Sequence, residues 1–152
     1  MRTLPRTDEY YPALLVIRTD YRDEPAWQAL KNALAEPWGP KGDESVQEVL
    51  YVDDLAWAEA GVDEVLAALT DGDGEDGGEC GWSVVFIADR LTMKGVHGPL
   101  LAVDTDPEPP GGETSHDCSQ VRIDRGEAAH DMHGNLSLGN MDFSDYMPKR
   151  FF

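Results

Sequence analysis

Basic residues are scarce in this sequence, and their scarcity excludes several classes of protein. Only 12 of the 152 residues are Lys or Arg, against 30 that are Asp or Glu, so the net charge is −18. Nucleic-acid binding needs clustered Lys and Arg to contact phosphates, and binding to an anionic membrane surface has the same need. We therefore expect neither nucleic acid nor a membrane as a partner.

Long apolar runs, cysteines and catalytic motifs are also missing or rare. No apolar run approaches the roughly 18 residues of a transmembrane helix, and residues 1–9 lack the apolar core of a signal peptide. We therefore expect a cytoplasmic protein, and because disulfides are rare in the cytoplasm, Cys80 and Cys118 are expected to be thiols. There is no Gly-x-Ser-x-Gly, Cys-x-x-Cys or P-loop motif, and no Gly-x-Gly-x-x-Gly follows a predicted strand. The sequence thus indicates no cofactor, apart from the metal sites considered below.

The chain does contain enough apolar sequence for one domain. With 152 residues and 41% hydrophobic content, we predict a single domain over residues 1–152. Residues 1–11 are charged and contain proline, which indicates a loose lead-in. Two further segments, 71–81 and 105–117, are rich in acidic residues, glycine or proline and are predicted loops.

Short apolar runs and helical stripes alternate along the chain. The runs predict five strands, at residues 13–17, 48–52, 82–88, 100–103 and 120–123. Apolar residues at helical spacing predict a helix after each of the first two strands, with Trp27, Leu30 and Leu34 in the first and Val62, Val65, Leu66 and Leu69 in the second. This alternation is typical of a parallel sheet, whereas the link between strands three and four is too short for a helical crossover. We therefore predict an α/β domain with helices packed on a mostly parallel sheet and an antiparallel edge.

Aspartates follow the apolar runs of four predicted strands. Asp20 follows the first, Asp53 and Asp54 the second, Asp89 the third and Asp104 the fourth. If the first three strands are parallel, their carboxylates share the edge where open α/β sheets bind ligands. There they could act as catalytic groups, hold Mg²⁺, or form an acidic surface for a basic partner. Aspartate is also common after strands as a turn former and helix cap, which would give each carboxylate a local role.

Two histidines, His130 and His133, have the spacing of neighbours on one helical face. Such a pair could bind Zn²⁺ or Fe²⁺, or take part in acid–base chemistry. However, Gly126 and Gly134 flank the pair, and no third ligand stands at a diagnostic spacing. Surface histidines are the simpler interpretation.

Four tryptophans provide a further pointer to function. Trp27, Trp57 and Trp82 stand at the starts of predicted elements and are expected in the core. Trp38 lies among prolines and a glycine and is the tryptophan we expect to be exposed. An exposed aromatic beside carboxylates would suit the anchor of a protein interface.

The segment 135–143, with sequence Asn-Leu-Ser-Leu-Gly-Asn-Met-Asp-Phe, resembles the C-terminal signature of an uncharacterised family of small acidic bacterial proteins. That family carries only a domain-of-unknown-function label. Residues 14–20 followed by Trp27, residues 51–54, and residues 85–89 with Thr92 resemble the same family, in the expected order. The resemblance implies this order of elements and supplies no activity.

The tail and Thr92 add the remaining candidate site residues. Asn135, Asn140 and Thr92 are candidate binding residues, and Asp142 joins the candidate catalytic carboxylates if the tail reaches the strand ends. In the alternative interpretation, the apolar residues of the tail anchor it to the core as a structural clasp.

Two functions from different classes remain open. The first is an acidic cytoplasmic binding module that docks on a basic protein partner, as an immunity, antitoxin or inhibitor protein does. The second is a small biosynthetic or hydrolytic enzyme acting on a small molecule through these carboxylates, by acid–base chemistry or with a divalent metal ion; a cofactor-free cyclase or isomerase belongs to the same class. Mimicry of a nucleic-acid duplex is disfavoured, because the acidic residues cluster in loops and at strand ends.

Overall fold

The structure is a computed structural model that describes residues 4, 12–38, 42, 48–70, 82–94, 98–105, 120–139 and 143. Apart from Leu4 and Thr105, the predicted lead-in and the two predicted loops lie outside the described residues. Within these residues, five strands, four α-helices and one 3₁₀ turn follow one another: β1 Leu14–Arg18, α1 Glu24–Ala35, β2 Val49–Val52, the 3₁₀ turn Leu55–Trp57, α2 Val62–Thr70, β3 Val84–Ala88, α3 Arg90–Met93, β4 Leu100–Asp104, β5 Gln120–Ile123 and α4 Glu127–Ser137.

The five strands form one mixed sheet in the order β2-β1-β3-β4-β5. β1 pairs in parallel with both β2 and β3, whereas the β3–β4 and β4–β5 pairs are antiparallel. The α/β class and the antiparallel edge are confirmed, but the prediction of a mostly parallel sheet is wrong. The four-residue α3 is too short for a crossover to a parallel β4, and β5 then pairs antiparallel with β4, so only two of the four described strand pairs are parallel.

Helices cover both faces of the sheet, and β1 lies between the two layers. All five residues of β1 are buried, because successive side chains enter opposite cores. On one face, Leu14 and Val16 pack with residues of α1 and α4. On the other face, Leu15 and Ile17 pack with Trp57 and with residues of α2. None of the described helices is long and apolar enough to cross a membrane.

Helix α1 forms where its sequence signals predict it. The Asp23 side chain accepts a hydrogen bond of 3.0 Å from the Ala26 backbone N–H and caps the first turn. Trp27, Leu30 and Leu34 are fully buried on one side of the helix. Burial of side chains of this size contributes about 1.5–3 kcal/mol each before the cost of ordering them.

Helix α4 continues through Gly134, where the sequence had left a helix uncertain. Gly126 precedes it with φ of 87°, a conformation that favours glycine. Gly134 itself is buried, and the buried residues of this short helix include Ala129, Met132 and Leu136. Tertiary packing therefore offsets the low helix propensity of glycine.

Candidate functional site

The structure brings the carboxylates of the first three strands to one end of the sheet. Asp20, Asp53 and Asp89 each follow the carboxyl end of a strand in the parallel part, and Asp54 is next in sequence to Asp53. We call this region the carboxyl edge. Asp104 lies at the opposite end, because antiparallel pairing places it beside Val84 at the start of β3.

The carboxyl edge is built around a buried cation, Arg18. This residue ends β1, and its side chain is only 3% exposed. Its guanidinium carbon lies 4.3 Å from the ring centroid of Tyr21 and 4.9 Å from that of Trp27. Both distances are within the range of cation–π attraction, which strengthens when the cation is removed from water.

Hydrogen bonds from Arg18 connect three segments of the chain. Its Nε donates to the backbone oxygen of Asp20 at 3.1 Å, and its two terminal nitrogens donate to Asp53 at 3.3 Å and to Glu24 at 3.0 Å. The two carboxylates are 43% and 61% exposed, so each also reaches solvent. Arg18 therefore fixes the start of α1 and the end of β2 against the end of β1.

Asp20 has a local partner of its own. Its carboxylate accepts hydrogen bonds from the Arg22 backbone N–H at 3.0 Å and from the Arg22 guanidinium at 3.2 and 3.3 Å. The hydrogen bonds from Arg22 outweigh the effect of burial and hold the pKa of Asp20 below its usual value. Burial prevails at the neighbouring phenol: burial first, and the nearby charge of Asp53 second, raise the pKa of Tyr21 to about 12.

Asp89 caps α3 and forms a bidentate ion pair. Its side chain accepts from the Thr92 backbone N–H at 3.2 Å, while Thr92 Oγ1 accepts from the Asp89 N–H and so completes a capping box. The two carboxylate oxygens accept from Arg122 at 2.9 and 2.8 Å. Burial raises the pKa of Asp89, but the hydrogen bonds from Arg122 and Thr92 outweigh it and hold that pKa below its usual value.

Thr92, a candidate binding residue, has a structural position. It is fully buried, and its hydroxyl lies 2.8 Å from the carbonyl oxygen of Pro99. Arg125 donates to the carbonyl oxygens of Thr92 and Gly98 from the other side. Thr92 thus connects α3 to the start of β4.

Residues 53–60, which we call the acidic turn, include the most exposed large apolar side chain among the described residues. Asp54 caps the 3₁₀ turn by accepting from the Ala56 N–H at 2.9 Å. Trp57 is fully buried beneath the turn, whereas Leu55 is 71% exposed. Asp53, Asp54 and Glu59 are exposed on either side of Leu55 in the sequence.

The acidic turn is held in a strained conformation. Glu59 has a positive φ of 64°, which a non-glycine residue rarely adopts. Its backbone N–H donates to the Thr19 carbonyl oxygen at 2.8 Å, so the turn is fastened to the chain just after β1. Strain of this kind costs about 1–3 kcal/mol and is found more often at functional sites than elsewhere.

Taken together, the described carboxylates of the carboxyl edge are each occupied by a nearby cation or backbone donor. Within the described ranges, no group of three or more His, Cys, Asp or Glu side chains could hold a metal ion. Asp54 and Asp89 cap helical turns, as expected of aspartates after strands, whereas Asp53 and Asp89 also pair with arginines that are distant in sequence.

The histidines lie in the core, so the interpretation as surface histidines is wrong. His130 and His133 are buried on α4, with their Nε2 atoms 2.8 Å from the Leu34 carbonyl oxygen and 2.7 Å from the Pro12 carbonyl oxygen. A carbonyl oxygen only accepts, so each Nε2 carries the proton and is not free to bind a metal. Burial lowers the pKa of both imidazoles, more than the carbonyl hydrogen bonds raise it.

Trp38 does not form the exposed anchor expected from the sequence. It is half-buried, and its ring stacks on His130 with centroids 5.5 Å apart and planes 8° from parallel. The buried imidazole supplies the packing partner that sequence reasoning did not foresee. By contrast, Trp27, Trp57 and Trp82 lie in the core as predicted.

Of the candidate site residues in the tail, one lies on helix α4 and two lie outside the described residues. Asn135 lies on α4 and donates to the Asp131 carboxylate at 3.3 Å, on the helix rather than at the carboxyl edge. Asn140 and Asp142 lie outside the described residues. Leu136 and Phe143 are buried in the core on the α1 side of the sheet, consistent with the clasp interpretation.

Comparison with known families gives the place of this chain. The family described as Domain of unknown function (DUF6924) matches residues 13–150. The chain belongs to this family. The match bears out the resemblance seen in the sequence to an uncharacterised family. Comparisons with curated proteins and with solved structures each gave no match.

Sequence reasoning missed two residues at the carboxyl edge and the acidic turn, Arg18 and Leu55. A signal for Arg18 was present, because it continues the alternation of Leu14 and Val16 and must enter the same core. No comparable signal marked Leu55, because its exposure depends on how Trp57 seats the turn.

Proposed function

We propose that this protein is an acidic binding module of the cytoplasm that docks on a basic protein through the acidic turn. The observation that carries the proposal is Leu55, which is 71% exposed on a turn that also exposes Asp53, Asp54 and Glu59. An apolar side chain presented among charges has the composition of an interface anchor with a polar rim.

The acidic surface extends beyond the turn to the start of α1. Glu24 and Asp53 both bind the same guanidinium, so the exposed residues Asp23 and Glu24 adjoin the turn. Arg18, the cation between them, is buried and contributes little to the surface that a partner would meet. Because the whole chain also has a net charge of −18, such a surface speeds the encounter with a basic partner and disfavours acidic partners.

The turn is also held in place before binding. Asp54 caps it, Trp57 anchors it in the core, and the Glu59 N–H ties it to Thr19. A preorganised loop loses little conformational freedom on binding, so more of the contact energy appears as affinity. This supports a role for the turn as a ready-made contact surface of the kind that immunity, antitoxin and inhibitor proteins need.

The test compares exposed leucines. Tagged wild-type protein, Leu55→Ser and the matched control Leu91→Ser, whose leucine is 47% exposed on α3, capture proteins from native lysate. The captured protein is identified and purified, and its Kd for each variant is measured by calorimetry at low and moderate salt. We expect a basic protein whose binding weakens with salt, weakens about tenfold or more in Leu55→Ser, and is unchanged in Leu91→Ser.

A second variant separates charge from shape. Glu59→Asn removes one carboxylate at a positive-φ position that asparagine tolerates well, so the fold should be preserved. We expect it to slow association while leaving dissociation nearly unchanged. The proposal would be contradicted by a purified partner whose Kd is the same for Leu55→Ser and wild type. A Kd that does not change with salt concentration would contradict it as well.

A further inference from the structure

Strand β2 lies at one edge of the sheet and has one side open in the described structure. Among the described strands, β1 is its only neighbour. The pairing fixes which main-chain groups of β2 face outward. Leu14 pairs with Val49, and the Leu14 N–H donates to the Glu48 carbonyl oxygen at 2.9 Å. In a parallel ladder with this phase, Glu48 and Leu50 bond to β1, whereas Val49 and Tyr51 direct their N–H and C=O groups away from it.

Within the described residues, this edge carries none of the sequence features that usually protect edge strands. The sequence of β2, Val49 to Val52, contains no charged residue, proline or glycine, and Leu50 is 40% exposed. Natural proteins commonly guard an edge with lysine, proline or a bulge, because open main-chain groups recruit another strand. An unguarded apolar edge is therefore suited to strand addition, a mode in which main-chain hydrogen bonds provide affinity.

Charge determines which strand would fit. Exposed carboxylates stand at both ends of β2, at Glu48 before it and at Asp53 and Asp54 after it. Lys31 is a cation beside the strand, and its Nζ lies 5.7 Å from the Tyr51 ring on the side of α1. Leu50, which pairs with Leu15, belongs to the opposite face. A second copy of this chain would bring another charge of −18 to the same edge, so repulsion disfavours self-pairing.

We propose that β2 accepts an extended basic segment of a partner protein as a sixth strand of the sheet. The inference rests on the proposed function, since it specifies how a basic partner that contacts the acidic turn continues along the neighbouring edge. The segment pairs with the outward groups of Val49 and Tyr51 and places basic side chains near the carboxylates at the ends of β2. In an alternating segment the apolar side chains all lie on one face of the sheet, where they extend the core at Tyr51, and the basic side chains lie on the opposite face, with Leu50.

The test uses a synthetic probe and residue-resolved amide hydrogen exchange. The probe is a blocked peptide of alternating Lys and Val, of about eight residues, the length of an ordinary strand. The matched control is the same peptide with every backbone nitrogen methylated, which keeps the side chains and the charge but removes every main-chain donor. At a hundred times the Kd, exchange of an amide blocked by the peptide slows by up to about a hundredfold. We expect this slowing at Val49 and Tyr51 with the Lys–Val peptide, and none with the methylated control.

The other outcomes are distinct. Equal binding of the two peptides without slowing at Val49 and Tyr51 would overturn strand addition and leave the charge-driven proposed function standing. Failure of the Lys–Val peptide to bind would overturn strand addition as well, and the leucine variants with the purified partner would then decide the proposed function separately. Protection of Val49 and Tyr51 that rises with protein concentration in the absence of peptide, together with a dimer in sedimentation, would assign the edge to a second copy and overturn the basic occupant.

Discussion

Arg18 donates a hydrogen bond of 3.3 Å to Asp53 and so joins the carboxyl ends of two neighbouring parallel strands. The guanidinium is buried, whereas the carboxylate is 43% exposed. One partner therefore belongs to the core and the other to the surface that we propose as the docking site. A change at Arg18 should accordingly alter both stability and the position of the acidic turn.

The first prediction concerns the buried cation. Arg18→Ala should lower the free energy of unfolding by about 3 kcal/mol, because packing on two rings and three hydrogen bonds are lost. Arg18→Met keeps much of the packing and should cost about 1–2 kcal/mol, since the two carboxylates are exposed enough to be rehydrated. Urea unfolding measures both. Arg22→Ala, at an exposed arginine, is the control and should cost clearly less than Arg18→Ala. Equal losses at the two arginines would contradict this assignment.

The second prediction concerns acid unfolding and Asp89. Its pKa is depressed in the folded protein, so its stabilising effect is complete above the unfolded pKa of about 3.9 and is lost as pH falls through the folded pKa. Asp89→Asn retains a capping side chain but loses the charged pair with Arg122. We expect a loss of about 1–2 kcal/mol at neutral pH that shrinks below about pH 4. Arg122→Met should reproduce this pattern, and a loss that is constant with pH would refute it.

The third prediction concerns the buried histidines. Burial depresses the pKa of His130 and His133, so the unfolded chain binds more protons than the folded protein once pH falls below about 6.5. Stability should therefore be complete at pH 7 and above and decline as pH falls toward 5. A variant with both histidines replaced by Gln keeps an amide donor near each Nε2 position and should lose this slope. Urea unfolding over the pH range tests it; an unchanged slope in the double variant would assign the effect to other groups.

The fourth prediction concerns a close backbone approach at Gly98. A Cβ added there would lie 2.1 Å from the Thr92 carbonyl oxygen and 2.7 Å from the Leu91 carbonyl oxygen. Gly98→Ala should cost about 3 kcal/mol, at the upper end of overpacking effects, because backbone must move. The control is Gly139→Ala, where nothing lies within 4 Å and φ is +76°. That change should cost about 1 kcal/mol, from conformation alone. Thermal and urea unfolding distinguish the two costs.

The individual strands and helices could be predicted from the sequence, but their arrangement in the sheet could be predicted only in part. The apolar run at β1 and the Trp27, Leu30 and Leu34 stripe carry their own periodicity, and both are buried as predicted. The short segment between β3 and β4 predicted that these two strands pair antiparallel. It did not predict the direction of β5, which also pairs antiparallel with β4. α4 was obscured by Gly134, whose helical conformation is supported by tertiary packing that no local pattern records.

The contacts of the site were harder to predict from the sequence, because they join distant parts of the chain. Aspartates after strands could be found by position, yet their pairing with Arg22 and Arg122 required coordinates. Likewise, the carbonyl oxygens that receive the histidine protons belong to Leu34 and Pro12, 96 and 121 residues away in sequence. Where a polar side chain finds its partner at such separation, sequence indicates the residue type but not its role.

The position of β1 between β2 and β3 has a consequence for biosynthesis. β1 ends at Arg18, but the strand that completes its pairing begins only at Val84. A nascent chain leaving the ribosome can therefore form the β1–β2 unit early, yet must keep the other side of β1 unsatisfied until β3 emerges. During that interval the apolar side chains of β1 depend on transient cover, from the chain's own helices or from a chaperone.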